Sequence, residues 1–374
     1  MTLNRDRIDA LARQVGFPAV GVAPPTPVRG GSAFDTWLQA GMAADMTYLG
    51  REPEKRKDPR RYWPAVQAII AVAVPYATPD SEIECPPLHG FIARYARLRD
   101  YHRWMKKALH RLGALIEAEW PGTHWIATTD TSPILERAHA AQAGIGWIGH
   151  NGLLIHPDLG SYTFLGLLLL DRFVEPDHPV QPRCGTCRAC MDACPTGAIV
   201  APRVVDARKC LSYLTIEHRG AIPVALRHRL GNRVLGCDTC QEVCPWVQRA
   251  RPPGHAFALV PPRKPGCVSL AEPAVDTEEG FRIRWRATPV LRAKRTGLAR
   301  NIAVVLGNTT GADPVPILSS LIRDPAPLVR VHAAWALGIH RGAAARKQLE
   351  RALGEEADLE VQSAIEMALD TSPG

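Results

Sequence analysis

The stretch CGTCRACMDACP (184–195) sets Cys184, Cys187, Cys190 and Cys194 two, two and three residues apart, and Pro195 closes the run. Three closely spaced thiolates can wrap three corners of a [4Fe-4S] cube, and the fourth cysteine of such a run reaches a second cube. A second run, CDTCQEVCP (237–245), supplies Cys237, Cys240 and Cys244 before Pro245, but the position for its first cysteine is Val234. Cys210, arriving from an upstream segment predicted to be helical, is the substitute, and the ligand count closes at eight. By the crossover rule, Cys184, Cys187, Cys190 and Cys244 hold one cluster, and Cys194, Cys210, Cys237 and Cys240 the other. A pair of zinc sites is the alternative, because cysteines two residues apart also bind zinc. Two Cys-Pro endings and the two-two-three spacing favour cubanes. Cys85 and Cys267 are left over and read as buried or inert thiols. Two adjacent cubanes conduct single electrons and do no substrate chemistry alone, so another part of the chain must accept the electrons.

Outward from the cysteines the chain divides into four segments. Residues 1–175 alternate strand-like and helical patterns, which predicts an α/β domain. Asn4–Val15 places Ile8, Leu11, Ala12 and Val15 on one helical face. Val66–Val74 is a continuous apolar run ended by Pro75, as in a strand buried on both faces. Tyr101–Trp120 reads as a helix, His124–Thr128 as a strand, and Pro133 is placed to open a helix running to about Ala143. Leu153–Ile155 and Thr163–Leu170 read as further strands. Residues 176–250 form the double-cluster, ferredoxin-like segment, and 251–280, rich in proline, a linker. Residues 281–374 are helical and repetitive. Leu306-Gly307, Leu337-Gly338 and Leu369 recur at steps of 31 and 32 residues, which predicts a HEAT-like helical repeat.

The 374 residues are too many for one ordinary domain, and their 46% hydrophobic and 22% charged content excludes a disordered or fibrous chain. No apolar stretch approaches the roughly 20 residues of a membrane span, and Met1–Ala10 has no apolar signal-peptide core. These features predict a cytoplasmic protein, where cysteines serve metals rather than disulfides. Lys and Arg outnumber Asp and Glu by 45 to 37. Arg282–Arg300 is a basic stretch free of acids: Arg284, Arg292, Lys294 and Arg295 fall in it, Trp285 is interleaved, and no acidic residue occurs from Gly280 to Ala312. A basic face with an aromatic on a helical repeat suits phosphate contact and base stacking. His218 and Arg219, after Cys210, are further candidates.

Several stretches together resemble the epoxyqueuosine reductase family. They are EKRKDPRRYWPAVQAII (54–70), RYARLRDYH (94–102), TDTSPILER (129–137), AGIGWIGHNGLLI (143–155), both cysteine runs and RTGLARNIAVVLGN (295–308). The resemblance implies cobalamin on the N-terminal α/β domain, facing the first of two [4Fe-4S] clusters. It implies reduction of epoxyqueuosine to queuosine in the anticodon loop of a tRNA by a monomer fed by an external low-potential electron donor. The His-supplying corrinoid motif DxHxxG is absent, and Asp100-Tyr101-His102 is its nearest approach. Leu98 and His150 depart from the family's usual Gly and Lys, with neither expected to touch the clusters. Corrinoid reductive dehalogenases and a ferredoxin without catalysis of its own are the alternative readings.

The resemblance makes Asp130 the proton donor; without it, Asp130 reads as a helix N-cap. A donor must hold its proton at neutral pH, which predicts burial away from cations. Arg56, Asp130, Leu154, Ser212 and Asp238 are the candidate cobalamin contacts. Gly144, Gly146 and Gly149 spell GxGxxG, but they follow a predicted helix rather than open one. They are therefore read as backbone packed against the corrin rather than as a dinucleotide site.

Overall fold

The computed structural model describes residues 2–77, 84–261 and 265–370. It divides into two compact units, one assembled from 1–80, 100–208 and 239–262, the other from 81–99, 209–238 and 263–374. These units do not follow the four consecutive segments read along the chain. Composition reports on neighbours in sequence, whereas strand pairing brings distant segments together.

The first unit is built on a four-stranded sheet ordered Ala19–Ala23, Ala68–Pro75, Thr163–Leu170 and Trp125–Thr128, antiparallel throughout. Residues Ala68–Val74 are at most 1% exposed, because helices cover both faces of the sheet. On one face, Gly166 lies against Met105 and Leu109 of the long helix Tyr101–Glu119. On the other, Gly21 lets the end of helix Glu136–Gln142 approach, and a Cβ there would collide with the carbonyl of Ala143. Proline 133 does not open that helix. Leu135 is its N-cap, and Thr129–Leu135 is an irregular loop in which Asp130 adopts a left-handed φ of 59°.

In the second unit, His89–Ile92 pairs in parallel with Arg233–Leu235 and antiparallel with Cys267–Ser269. The stretch read as a linker therefore contains a sheet strand, followed by helices Ala271–Ala274 and Glu278–Arg284. Cys85 and Cys267 are joined in a disulfide with Cα atoms 5.4 Å apart, which corrects their reading as buried or inert thiols. The strand pairing draws Cys267 alongside the chain leading into His89, a proximity no local pattern reveals.

Helices Lys294–Gly307, Pro327–His340 and Leu359–Asp370 stack in succession, with Val315–Leu321 and Ala343–Glu355 between them. The Leu-Gly recurrence is the contact surface of this stack. Gly307 meets Trp335 and Ala336, and Gly338 meets Ala368, at distances that leave no room for a side chain. Arg300 is fully buried and donates to the carbonyls of Leu214, His218 and Gly220 at 2.7–2.9 Å. No helix among the described residues is long and apolar enough to cross a membrane.

The Gly21 contact is directly testable. Gly21→Ala forces the helix that follows the Asp130 loop off the sheet and should lower stability by about 1–3 kcal/mol, read by thermal unfolding, with iron content unchanged.

Candidate active site

Four cysteines converge in the first unit. Cys184, Cys187, Cys190 and Cys244 line one cavity of about 200 Å³ with His150, Arg183 and Trp246. Cys187 N–H closes a turn on the Cys184 carbonyl, helix Ala189–Asp192 carries Cys190, and Cys244 caps helix Pro245–Arg249. Burial, then the nearby sulfurs of Cys244, Cys184 and Cys187, push the Cys190 thiol up to about 11. Four mutually repelling sulfurs around a cavity suit a shared cationic iron cluster, which needs them as thiolates. His150 also belongs here, with a ring nitrogen donating to the Cys187 carbonyl at 2.9 Å; the expectation that it lies away from the clusters is corrected. Leu98 is 1% exposed and serves the apolar core.

Cys194 lies outside that cavity's lining. Burial raises its thiol, but backbone N–H groups of Thr196, Ala198 and Ile199 outweigh this and hold it below its ordinary value. Ala198 N approaches its sulfur at 3.2 Å. Cys240 belongs to the same unit, whereas Cys210 and Cys237 belong to the second.

The irregular loop after strand Trp125–Thr128 presents Asp130 to a chain of polar groups. His102 Nε2 lies 2.9 Å from Asp130 Oδ2, and His102 Nδ1 lies 2.6 Å from Asp100 Oδ1. Asp100 also caps the long helix by accepting from the His102 N–H. Tyr101 stacks on both Phe164 and His102, with ring centroids 4.2 Å apart in each pair, which fixes the imidazole against the sheet. Hydrogen bonds to Asp100 and then Asp130 raise His102 to about 9, so at neutral pH it is an imidazolium donating from both nitrogens. Asp130 N–H donates to Glu136 at 2.6 Å. Burial, then the Asp130 charge, push Glu136 up to about 8. Arg137 donates to the Gly152 carbonyl. Glu136 is half-buried and Arg137 exposed, and burial is the first cause of the shift of each, upward for Glu136 and downward for Arg137.

Two expectations about Asp130 change. It is no helix N-cap, and it is neither buried nor remote from cations: its side chain is 59% exposed and bonded to His102. The sequence reading missed His102 and Glu136 as working groups. The signal available was the DYH triplet, which was weighed only as a cobalt-ligand motif.

The other candidate cofactor contacts divide. Arg56 lies close to the Asp130 loop, since its carbonyl accepts from Leu135 N–H. Its Nη2 donates to Tyr48 O, and its Nε is buried without a partner in the chain. That orphaned donor fits an amide-rich ligand such as a corrin. Leu154 is 3% exposed, with its side chain in the apolar core and its backbone opposite Ile148, so a cofactor contact from it is one of the backbone, as expected of it. Asp238 is 3% exposed and accepts from the backbone and guanidinium of Arg94. Ser212 sits half-buried on helix Leu211–Ile216. Gly144 packs against His178, and Gly146 and Gly149 against Ile155. These glycines serve the chain's own packing, which corrects their assignment to the corrin.

The basic stretch is largely neutralised by carboxylates from elsewhere in the second unit. Arg284 pairs with Glu272 and Asp276, and Arg292 with Glu217. Arg295 is 8% exposed and bidentate to Asp324 at 2.7 Å, so it is a structural anchor and no RNA contact. Lys294 is exposed. Arg219 donates to the carbonyls of Arg292 and Ala293, and His218 to that of Ala221. His218, Arg219, Arg292 and Lys294 are thereby gathered, while Arg284 and Arg295 are not. The absence of acids from Gly280 to Ala312 was true locally and misleading spatially.

A double-cluster cysteine segment in a chain whose α/β unit carries an Asp–His–Asp hydrogen-bonded chain is the make-up of an iron–sulfur oxidoreductase. The 4Fe-4S double cluster binding domain matches residues 183–247, Epoxyqueuosine reductase QueG, DUF1730, matches 56–131, and HEAT repeats match 286–370. Epoxyqueuosine reductase of Pseudomonas aeruginosa is 40% identical over 339 residues, covering 88% of this chain and 92% of that protein. That of Escherichia coli is 36% identical over 330 residues, covering 87% and 86%. The chain belongs to the epoxyqueuosine reductase family. A crystal structure of epoxyqueuosine reductase with an epoxyqueuosine-modified tRNA-Tyr stem loop aligns with a TM-score of 0.88, 27% identity and 98% of both chains. One from Bacillus subtilis, with an aspartate-bearing catalytic loop swung out of its active site, gives 0.86, 28% and 99% of both.

The charge on His102 is measurable. A proton NMR titration should place His102 near 9, and Asp100→Asn should move it toward the ordinary 6.5. Because the folded value is raised, this pairing stabilises the fold fully below about pH 6.5 and is lost as pH rises through about 9. A His102 titrating near 6.5 in the intact protein would contradict the arrangement.

Proposed function

We propose that this chain reduces epoxyqueuosine to queuosine in the anticodon loop of tRNA. The observation that carries this reading is the Asp100–His102–Asp130 chain, with Asp130 59% exposed, in the same compact unit as the four-thiol cavity. Opening an epoxide to an alkene with loss of water takes two electrons and two protons. The first cluster would be held by Cys184, Cys187, Cys190 and Cys244, the second by Cys194, Cys210, Cys237 and Cys240. An external low-potential donor would feed them.

Cobalamin, when bound, would supply a strongly reducing cobalt centre. Arg56 Nε would donate to an amide carbonyl of the corrin. His102 is not available as a cobalt ligand, since both its nitrogens are committed to carboxylates. Its role is to hold a proton at Nε2, shared with Asp130 Oδ2. Asp130 is the group that delivers the proton to the departing oxygen. Asp100 keeps the imidazole in place as the proton leaves, and Glu136, pushed up to about 8, keeps a second proton next to the Asp130 backbone. The family relative solved with a modified tRNA stem loop supports the substrate, and His218, Arg219, Arg292 and Lys294 are candidate RNA contacts.

The test is anaerobic turnover of epoxyqueuosine-containing tRNA by protein loaded with iron, sulfide and cobalamin, with product read as queuosine by nucleoside mass spectrometry. Asp130→Asn should keep iron and corrinoid and lose about 10²- to 10⁴-fold in rate. No queuosine from fully loaded wild type would overturn the reading. For the cluster assignment, Cys244→Ser should abolish the same electron paramagnetic resonance signal that Cys184→Ser abolishes, leaving about half the iron.

A further inference from the structure

The long helix Tyr101–Glu119 buries Met105, Leu109, Leu112 and Ile116 against the sheet. Its opposite face exposes Arg103, Lys106, Lys107, His110 and Arg111. Arg103, Lys107 and Arg111 follow one another at four-residue steps, and Lys106 and His110 form a parallel row, so the charges make a stripe along the axis. None of the four cations forms an ion pair among the described residues. The helix's own acids, Glu117 and Glu119, stand in the last turn and engage Trp125 and Arg7. This differs from Arg284, Arg292 and Arg295, each of which meets a carboxylate. The stripe starts beside the chemistry: His102, one residue before Arg103, contacts Asp130. At 1.5 Å of rise per residue, it runs about 14 Å along the axis from His102 to Arg111.

We propose that this face of the helix is a phosphate track that grips the tRNA backbone next to the base presented to Asp130. The inference rests on the tRNA reading above. An uncompensated cationic row gains affinity by releasing counterions from a nucleic-acid backbone. The exposed face carries no large apolar side chain, which a helix lying on a membrane requires. In the stretch 282–300, by contrast, carboxylates from elsewhere in the second unit offset Arg284, Arg292 and Arg295.

The test uses the full chain with its clusters loaded and a fluorescent anticodon stem-loop, with affinity measured by anisotropy across a potassium chloride series. The variant is Lys106→Gln, Lys107→Gln and Arg111→Gln together. The control neutralises Arg346, Lys347 and Arg351 on helix Ala343–Glu355, where Arg346 and Arg351 are already paired with Glu350 and Glu355. The stripe variant should bind at least tenfold more weakly at low salt. Its slope of log affinity against log salt should be shallower by about 0.7–0.9 per lost contact. Iron content and cluster spectra should match wild type, and the control should bind as wild type does. Equal affinity and slope for wild type and stripe variant would overturn the proposal while leaving the tRNA reading intact. A wild type that does not bind the stem-loop would overturn the tRNA reading itself. Unchanged RNA binding with lost binding to phosphatidylserine vesicles would overturn the track in favour of a membrane surface.

Discussion

His102 sits between two carboxylates, and much of the first unit is arranged to keep it there. The long helix must dock on the sheet so that its first turn reaches the loop after Trp125–Thr128. Gly166 permits that docking by leaving room for Leu109 and Met105. Asp100 serves twice, capping the helix and holding the imidazole, so helix start and site geometry depend on one side chain. Asp130 takes a left-handed conformation that disfavours a side chain by about 1–3 kcal/mol. Its N–H bond to Glu136 and its bond to His102 hold it there. Strain of this kind persists only where the surroundings over-determine it.

This arrangement resolves a conflict in the chemistry. An exposed aspartate beside a cation is a poor acid when considered alone, because the cation favours its ionised form. Considered with its partner, the pair carries one transferable proton whichever atom holds it. The acid is then the hydrogen-bonded unit, and its titration belongs to the pair rather than to either residue.

Much of this was legible in the sequence, for identifiable reasons. The cysteine runs encode ligand geometry in local spacing, and four of their members do surround one cavity. The apolar run before Pro75 was readable because a strand covered on both faces needs no alternation. The Leu-Gly recurrence was readable because each repeat makes the same close helix contact at Gly307 and Gly338. What was not legible depends on pairing between distant residues. Cys267 meets Cys85 across 182 residues. Arg292 meets Glu217, and Arg295 meets Asp324. His102 meets Asp130 across 28 residues, so a triplet weighed for metal ligation places its imidazole between two carboxylates. The glycines of AGIGWIGHNGLLI were assigned to a ligand because their neighbours in space, Ile155 and His178, are set by how the chain folds back and not by the letters beside them.

Proton delivery by the His102–Asp130 pair, proposed above, has a kinetic signature: the pH dependence of the single-turnover rate of the reduced, fully loaded enzyme, compared between wild type and His102→Gln. The account predicts a wild-type rate that falls as pH rises through about 9, and a much slower His102→Gln enzyme in which that limb is gone. An alkaline limb of the same position in both proteins, at similar rates, would contradict it.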